Sequence, residues 1–235
     1  ARSREKQLEK VEVMDRPVVM NSRMKIQFRE SAKSGNDTLH AEGLSKSYGI
    51  GNEKRTLFRN VEFDIKRGER VCIIGPNGTG KTTLLKMIMS QVEPTEGFIK
   101  VGHNIHFGYY DQEQTMLNDS FTVIEEMREA YSLYSDTELR GLLGRFLFKN
   151  DDVFKQVSAL SGGERARLAL LKLMLSGANV LILDEPTNHL DIASKEVFED
   201  ALLDFPGTSV IVSHDRYLLN KVPTSIYELT QNGST

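Results

Sequence analysis

Residues 75–82 read Gly-Pro-Asn-Gly-Thr-Gly-Lys-Thr, the residue types and spacing that cradle a chain of phosphates. Glycines 75, 78 and 80 let the backbone curl until its N–H groups face one anion. A β-branched run, residues 70–74, precedes the loop and reads as a buried strand. After it Leu84, Leu85 and Ile88 recur at helical spacing, so a helix N-terminus adds its partial positive charge at the same spot. Lys81 then reaches the β- and γ-phosphates, and the Thr82 hydroxyl ligates Mg²⁺. Pro76, Asn77, Thr79 and Thr83 complete the stretch. A ligand-free glycine-rich turn is the bland alternative; the flanking strand and helix favour a nucleoside triphosphate.

Two other stretches carry chemistry. Residues 180–183 form an apolar strand that ends in Asp184 and Glu185. Ligands of such sheets bind beyond the carboxyl ends of the strands, which sets Asp184 beside Thr82 to hold Mg²⁺, directly or through its water. Glu185 projects differently and can orient or deprotonate an attacking water, so hydrolysis is favoured over mere binding. Alone, an Asp-Glu pair after a strand is a solvated loop start. Residues 160–164 read Leu-Ser-Gly-Gly-Glu, and Ser161 with Glu164 has the form of a capping box. Capping leaves Gly162 and Gly163 unexplained, since each costs a helix about 1 kcal/mol relative to alanine. They make sense where a phosphate must approach the backbone. One chain cannot easily bring two helix N-termini to one phosphate, so that phosphate belongs to a second copy of the fold.

The elements that position these groups are those of a mainly parallel sheet covered on both faces. Residues 39–48 and 57–65 read as strands of a mixed sheet, followed after the loop and its helix by strands at 98–101 and 105–110. From about 113 to 160 the pattern turns helical, with capping-box forms at 122–125 and 135–138 and a core stripe of Leu139, Leu142, Leu143 and Phe146. A helix at about 163–175, a strand at 180–183, a helix at 193–203 and strands at 209–212 and 225–229 follow. Residues 24–28 alternate as a short strand, and residues 1–13 have helix-forming composition that Pro17 stops.

The 235 residues suit one domain with appendages, and 39% apolar with 27% charged residues suits a soluble globular protein. The net charge of −3 conceals an asymmetry. Residues 1–34 carry nine Lys/Arg against five Asp/Glu, +4, which leaves −7 for the rest. Any polyanion contact is therefore expected to be local and N-terminal. Single Cys72 sits in an apolar strand and suits a reducing compartment; with no signal-peptide pattern, a cytoplasmic location is expected. No apolar run reaches membrane-spanning length. The chain opens on Ala1 and charged residues, and is expected to be a piece of a longer protein. His40, His103, His106 and His189 show no metal-ligand spacing.

Taken jointly, the 75–82 loop, residues 160–164, Asp184-Glu185 and His214 within Val212-Ser-His-Asp215 resemble an ATP-binding cassette (ABC) ATPase over about residues 37–235. The resemblance implies a P-loop core with an antiparallel β edge subdomain and a helical subdomain inserted at about 113–160. It implies that Tyr48 stacks on adenine, that Gln112 senses Mg²⁺ and the attacking water, and that His214 contacts the γ-phosphate. It implies that Asp191 lies in a loop crossing a dimer interface. It implies ATP sandwiched between one cassette's phosphate loop and residues 161–164 of its partner. Singly, Tyr48 reads as a strand aromatic and His214 as a strand-end histidine.

Residues 185–191, Glu-Pro-Thr-Asn-His-Leu-Asp, and 212–218, Val-Ser-His-Asp-Arg-Tyr-Leu, further resemble the ABC-F branch. That branch has two cassettes in one chain, no membrane domain, and ribosome-bound members acting as translation factors or antibiotic-protection proteins. Residues 1–36 then resemble the tail of its inter-cassette linker, which reaches toward tRNA and the ribosome. The nucleotide-binding subunit of a membrane transporter shares every catalytic motif and is the alternative. DNA-repair and chromosome ATPases are poorly supported, because no sustained heptad run interrupts the cassette.

Overall fold

The computed structural model describes residues 34–49, 55–110, 117–188, 190–231 and 233–234. Two sheets share the chain. Strands β1 (Asp37–Tyr48), β2 (Arg55–Lys66) and β4 (Glu96–Val101) form an antiparallel sheet in the order β2-β1-β4. Strands β3 (Arg70–Ile74), β5 (Phe107–Tyr110), β6 (Val180–Asp184), β7 (Thr208–Val212), β8 (Ser225–Thr230) and β9 (Gly233–Ser234) form the other, ordered β5-β6-β7-β3-β8-β9. All its pairings are parallel except β8 with β9.

The apolar runs of the central strands are explained by burial on both faces. In β6, Val180 and Ile182 face one cluster while Leu181 and Leu183 face the other; in β3, Val71 and Ile73 oppose Cys72. The first cluster lies between the two sheets and includes Leu84, Leu85 and Ile88 of α1 (Lys81–Ile88). Across it β1 and β2 pair Leu39 with Ile65, Ala41 with Phe63 and Leu44 with Val61, so one face of each strand is apolar. The second cluster is covered by α2 (Val123–Ala130), α3 (Asp136–Arg145), α4 (Gly162–Leu175), α5 (Ile192–Asp204) and α6 (Arg216–Lys221).

The capping boxes read at Thr122/Glu125 and Ser135/Glu138 are formed, and each starts a helix, α2 and α3. Such a cap is worth about 1 kcal/mol. Leu139, Leu142, Leu143 and Phe146 are buried. Two 3-10 turns, Asn150–Phe154 and Val157–Ala159, lead from there into α4.

Two local readings differ from the structure. Residues 39–48 and 57–65, read as strands of a mixed sheet, instead form a purely antiparallel one, because the third strand beside them is 96–101, whose Val101, Lys100 and Ile99 pair with Leu39–Ala41. Helix α6 was not expected; it has six residues and one buried side chain, Leu218, too few for a period to emerge, and stands on Asp215, whose Oδ1 accepts from Tyr217 N–H at 2.9 Å.

Gly97 fixes how β4 meets β1. Its φ is +77°, and a Cβ there would lie 2.4 Å from the backbone carbon and oxygen of Gly43. Gly97→Ala is therefore expected to cost about 3 kcal/mol, from a left-handed backbone and a clash with backbone that cannot swing away. Thermal melting should show Tm lowered by roughly 10 °C. An unchanged Tm would contradict the close approach of Gly97 to the Gly43 backbone.

Candidate nucleotide site

The parallel strands β3, β6 and β7 lie side by side and end together, so the segments after them converge. After β3 comes the 75–80 loop. Gly75 has φ +147°, and a Cβ on it would lie 2.4 Å from the Leu229 carbonyl oxygen. Gly78 and Gly80 are left-handed, at +82° and +96°. Gly80 is the N-cap of α1 and brings no capping side chain, nor is there an acidic residue in the first turn. The N–H groups opening α1 therefore meet no capping side chain and no carboxylate of the helix's own first turn, which suits an anion. The loop is braced internally. Thr79 Oγ1 donates to Pro76 O at 2.9 Å, and the Lys81 ammonium donates to Gly75 O at 2.7 Å and Pro76 O at 3.1 Å. Asn77 is exposed, and Thr83 is half-buried on α1.

Thr82 and Asp184, 102 positions apart, meet: Thr82 Oγ1 donates to Asp184 Oδ2 at 2.7 Å. A hydroxyl and a carboxylate beside an anion cradle are the hard oxygen donors that Mg²⁺ takes, so the residues fit that ion. Glu185 follows with its N–H bonded to Val212 O at 2.9 Å, and its φ of +47° is rare for a residue with a side chain. That backbone costs roughly 1–2 kcal/mol and swings the Glu185 carboxylate away from the direction Asp184 takes. Burial pushes the Glu185 carboxyl above its ordinary 4.5, opposed by the charges of His214 and Lys81. His214, half-exposed after β7, lies with Nε2 3.5 Å from Glu185 Oε1. Its loop is tied down by Asp215, which bonds Lys195 Nζ at 2.7 Å.

The remaining candidates make no hydrogen bond or ion pair with this group among the described residues. Tyr48 ends β1 as a residue 48% exposed, with the Lys46 ammonium 4.9 Å from its ring centre. Asp191 caps α5 through Ser194 N–H at 2.8 Å, and the Ser194 bonds hold its carboxyl below the usual range. Ser161 caps α4 in a full capping box with Glu164, and Ser161 and Gly162 are exposed. Among the described residues no hydrogen bond or ion pair joins 161–164 to the 75–82 loop; Glu164 faces Lys155 at 3.6 Å. A Cβ on Gly162 would meet nothing within 4 Å, so nothing among the described residues demands glycine there. Gln112 lies outside the described residues, as do His189 and residues 1–33.

Arg167 of α4 was not singled out by any motif. It lies nine-tenths buried over the Phe148 ring, donates to Ser194 Oγ at 2.6 Å, and stands 4.0 Å from Asp191 Oδ2. It ties the helix that Ser161 opens to the turn that Asp191 caps. A guanidinium within the apolar run of α4 was the available signal.

Residues 58–188, more than half of the chain, match the family described as ABC transporter, and the chain belongs to that family. Its relatives narrow this to the F branch, of which it is a single cassette. It is 48% identical to YdiF of Bacillus subtilis over 99% of this chain and 36% of that protein. It is 42% identical to ABC transporter F family member 5 of Arabidopsis thaliana, over 97% of this chain and 33% of the relative. It is also 42% identical to the energy-dependent translational throttle protein EttA of Escherichia coli K12, over 85% of this chain and 36% of EttA. The chain thus spans about a third of the length of these curated relatives. A dimeric post-hydrolysis structure of the ATP-binding cassette MJ0796 bound to ADP and Pi has the same fold, with TM-score 0.67 at 24% identity over 83% of this chain and 95% of that one.

Proposed function

We propose that this chain binds and hydrolyses MgATP as one of two cooperating cassettes, and that the complete protein uses this cycle on the ribosome. The observation that carries the proposal is the Thr82–Asp184 contact beside the 75–81 loop, with Glu185 and His214 at the same strand ends. The loop N–H groups and Lys81 hold the phosphates, and Tyr48 stacks on adenine. Thr82 and Asp184 would hold Mg²⁺, with Gln112 as a further ligand; when bound, the ion neutralises charge on the phosphates. Glu185 accepts a proton from the attacking water, and its raised proton affinity suits that task. His214, beside Glu185, faces the γ-phosphate and orients the water.

Residues 161–164 serve the partner's nucleotide, and Asp191 sits at the cassette interface. Support comes from the open space at Gly162 and from the dimeric state of the MJ0796 cassette. We read residues 1–36 as the linker tail, 37–235 as the cassette and about 113–160 as its helical subdomain. EttA is named as a translational throttle, which supports a role in translation here and a cytoplasmic setting. Among the described residues no helix is long and apolar enough to cross a membrane.

Two experiments test this reading. ATPase activity per molecule should rise with concentration of the isolated chain, because a second copy completes each site; constant turnover by a proven monomer rejects the sandwich. The full-length protein, trapped with ATP, should pellet with ribosomes through a sucrose cushion. Contacts from Arg2, Arg4, Lys6 and Lys10 to phosphates should make that binding weaken with salt. Recovery with membranes and none with ribosomes would assign the protein to transport.

A further inference from the structure

Arg55 opens β2 and pairs in register with Tyr48, the last residue of β1. Its guanidinium is exposed and reaches back over the phosphate loop: a Cβ on Gly78 would lie 3.6 Å from Arg55 Nη2. Among the described residues it has no carboxylate partner and makes no hydrogen bond. Two other described cations near the loop, Lys81 and Lys46, are engaged. Lys81 Nζ lies on the carbonyls of Gly75 and Pro76, and Lys46 Nζ donates to Glu93 O at 2.7 Å beside the Tyr48 ring. Among the described residues nothing pairs this guanidinium, and it lies beside loop N–H groups that already favour an anion. The planar fork of Arg matches two phosphate oxygens at once.

We propose that Arg55 is a second phosphate-binding cation of the site, closing over the nucleotide's phosphate chain on the Gly78 side opposite Lys81. The proposal rests on the ATP-binding reading above. Arg55 grips a phosphate chain that the reaction leaves in place at its adenosine end, so it binds ATP and ADP alike. It acts through affinity, with Glu185 and His214 left to set the rate. No sequence motif marks it, because the contact depends on the pairing of β1 with β2 and on where the loop lies beneath them.

The test is nucleotide binding by calorimetry with MgATP, MgADP and adenosine, on the wild-type chain and on Arg55→Ala and Arg55→Lys. Arg55→Ala should raise Kd about tenfold for both nucleotides, the scale of one partly screened charge-assisted contact. Its effect on adenosine should be nil. Arg55→Lys should recover part of the affinity, since charge returns without the fork. The slope of log Kd against log salt should become shallower in Arg55→Ala. In steady state KM should rise by a similar factor while kcat stays within about twofold. As an exposed residue, Arg55 should leave Tm unchanged on substitution, which separates this effect from misfolding. Equal Kd values in wild type and Arg55→Ala would overturn the proposal, as would an equal loss for adenosine, which would make Arg55 a contact to base or sugar. Absence of ATP binding by the wild type would instead reject the reading on which it stands.

Discussion

Replacing Glu185 by Gln is expected to lower ATP hydrolysis at least ~100-fold while leaving ATP affinity within a few-fold of wild type, the scale on which a positioned acid–base group acts. The amide keeps the shape of the side chain and the left-handed backbone at φ +47°, but cannot accept a proton. Single-turnover assays with labelled ATP separate the two effects, since binding amplitude should persist as the rate collapses. Normal turnover in this variant would move water activation to His214, whose Nε2 is 3.5 Å away.

The same residue gives a pH signature. Burial raises the Glu185 proton affinity above its ordinary 4.5, so the deprotonated, base-competent form appears only at higher pH. The acid limb of the wild-type rate profile should therefore fall above pH 4.5. For stability the sign follows from linkage: a carboxyl with a raised folded pKa favours folding below its unfolded value, and that advantage is lost as pH rises through the folded value. The ionised Glu185 thus opposes folding at neutral pH, and Gln removes that opposition. Glu185→Gln should melt no lower than wild type at pH 7, with the difference shrinking toward pH 4. A Tm gap that widens on acidification would contradict the burial of this carboxylate.

What the sequence disclosed and what it withheld divide by distance along the chain. The loop at 75–82, the capped start of α4 and the apolar strand leading to Asp184 are local: each is written in fewer than ten residues, by turn glycines, by a Ser-to-Glu spacing of three, or by an uninterrupted apolar run. The meeting of Thr82 with Asp184 was inferable only because parallel strands end at one edge of their sheet. The partition of the strands was not legible, since 98–101 looks like any half-buried strand until β1 is seen to pair with it. Nor was the backbone of Glu185, whose φ of +47° accompanies a hydrogen bond from its N–H to Val212 O across the sheet. Arg55 and Arg167 were missed for the same reason. Their roles rest on partners in other strands and helices; Arg55 carries no local pattern, and Arg167 shows only as a charge within the apolar run of α4.

Lys81→Ala should abolish measurable ATP binding at ordinary concentrations while the cassette stays folded. Two things are lost together. The ammonium is the cation held within the loop, and it bonds Gly75 O at 2.7 Å and Pro76 O at 3.1 Å, so its removal leaves two carbonyls that turn toward water or into the cradle. Two charge-assisted bonds to phosphate oxygens at about 1.5 kcal/mol each predict an affinity loss on the order of 100-fold. Lys81→Arg should rescue little. Lys81 is only 8% exposed, and a planar fork needs more room than an ammonium seated on two carbonyls. Folding should survive, because α1 is anchored by Leu84, Leu85 and Ile88 in the inter-sheet core. The readout is thermal shift. Saturating MgATP at about 100 times its Kd should stabilise the wild type by roughly 2.7 kcal/mol, several degrees in Tm, and the same concentration should leave Lys81→Ala nearly where it started. A full nucleotide-dependent shift in Lys81→Ala would remove residues 75–82 from the binding site and take the ATPase reading with them.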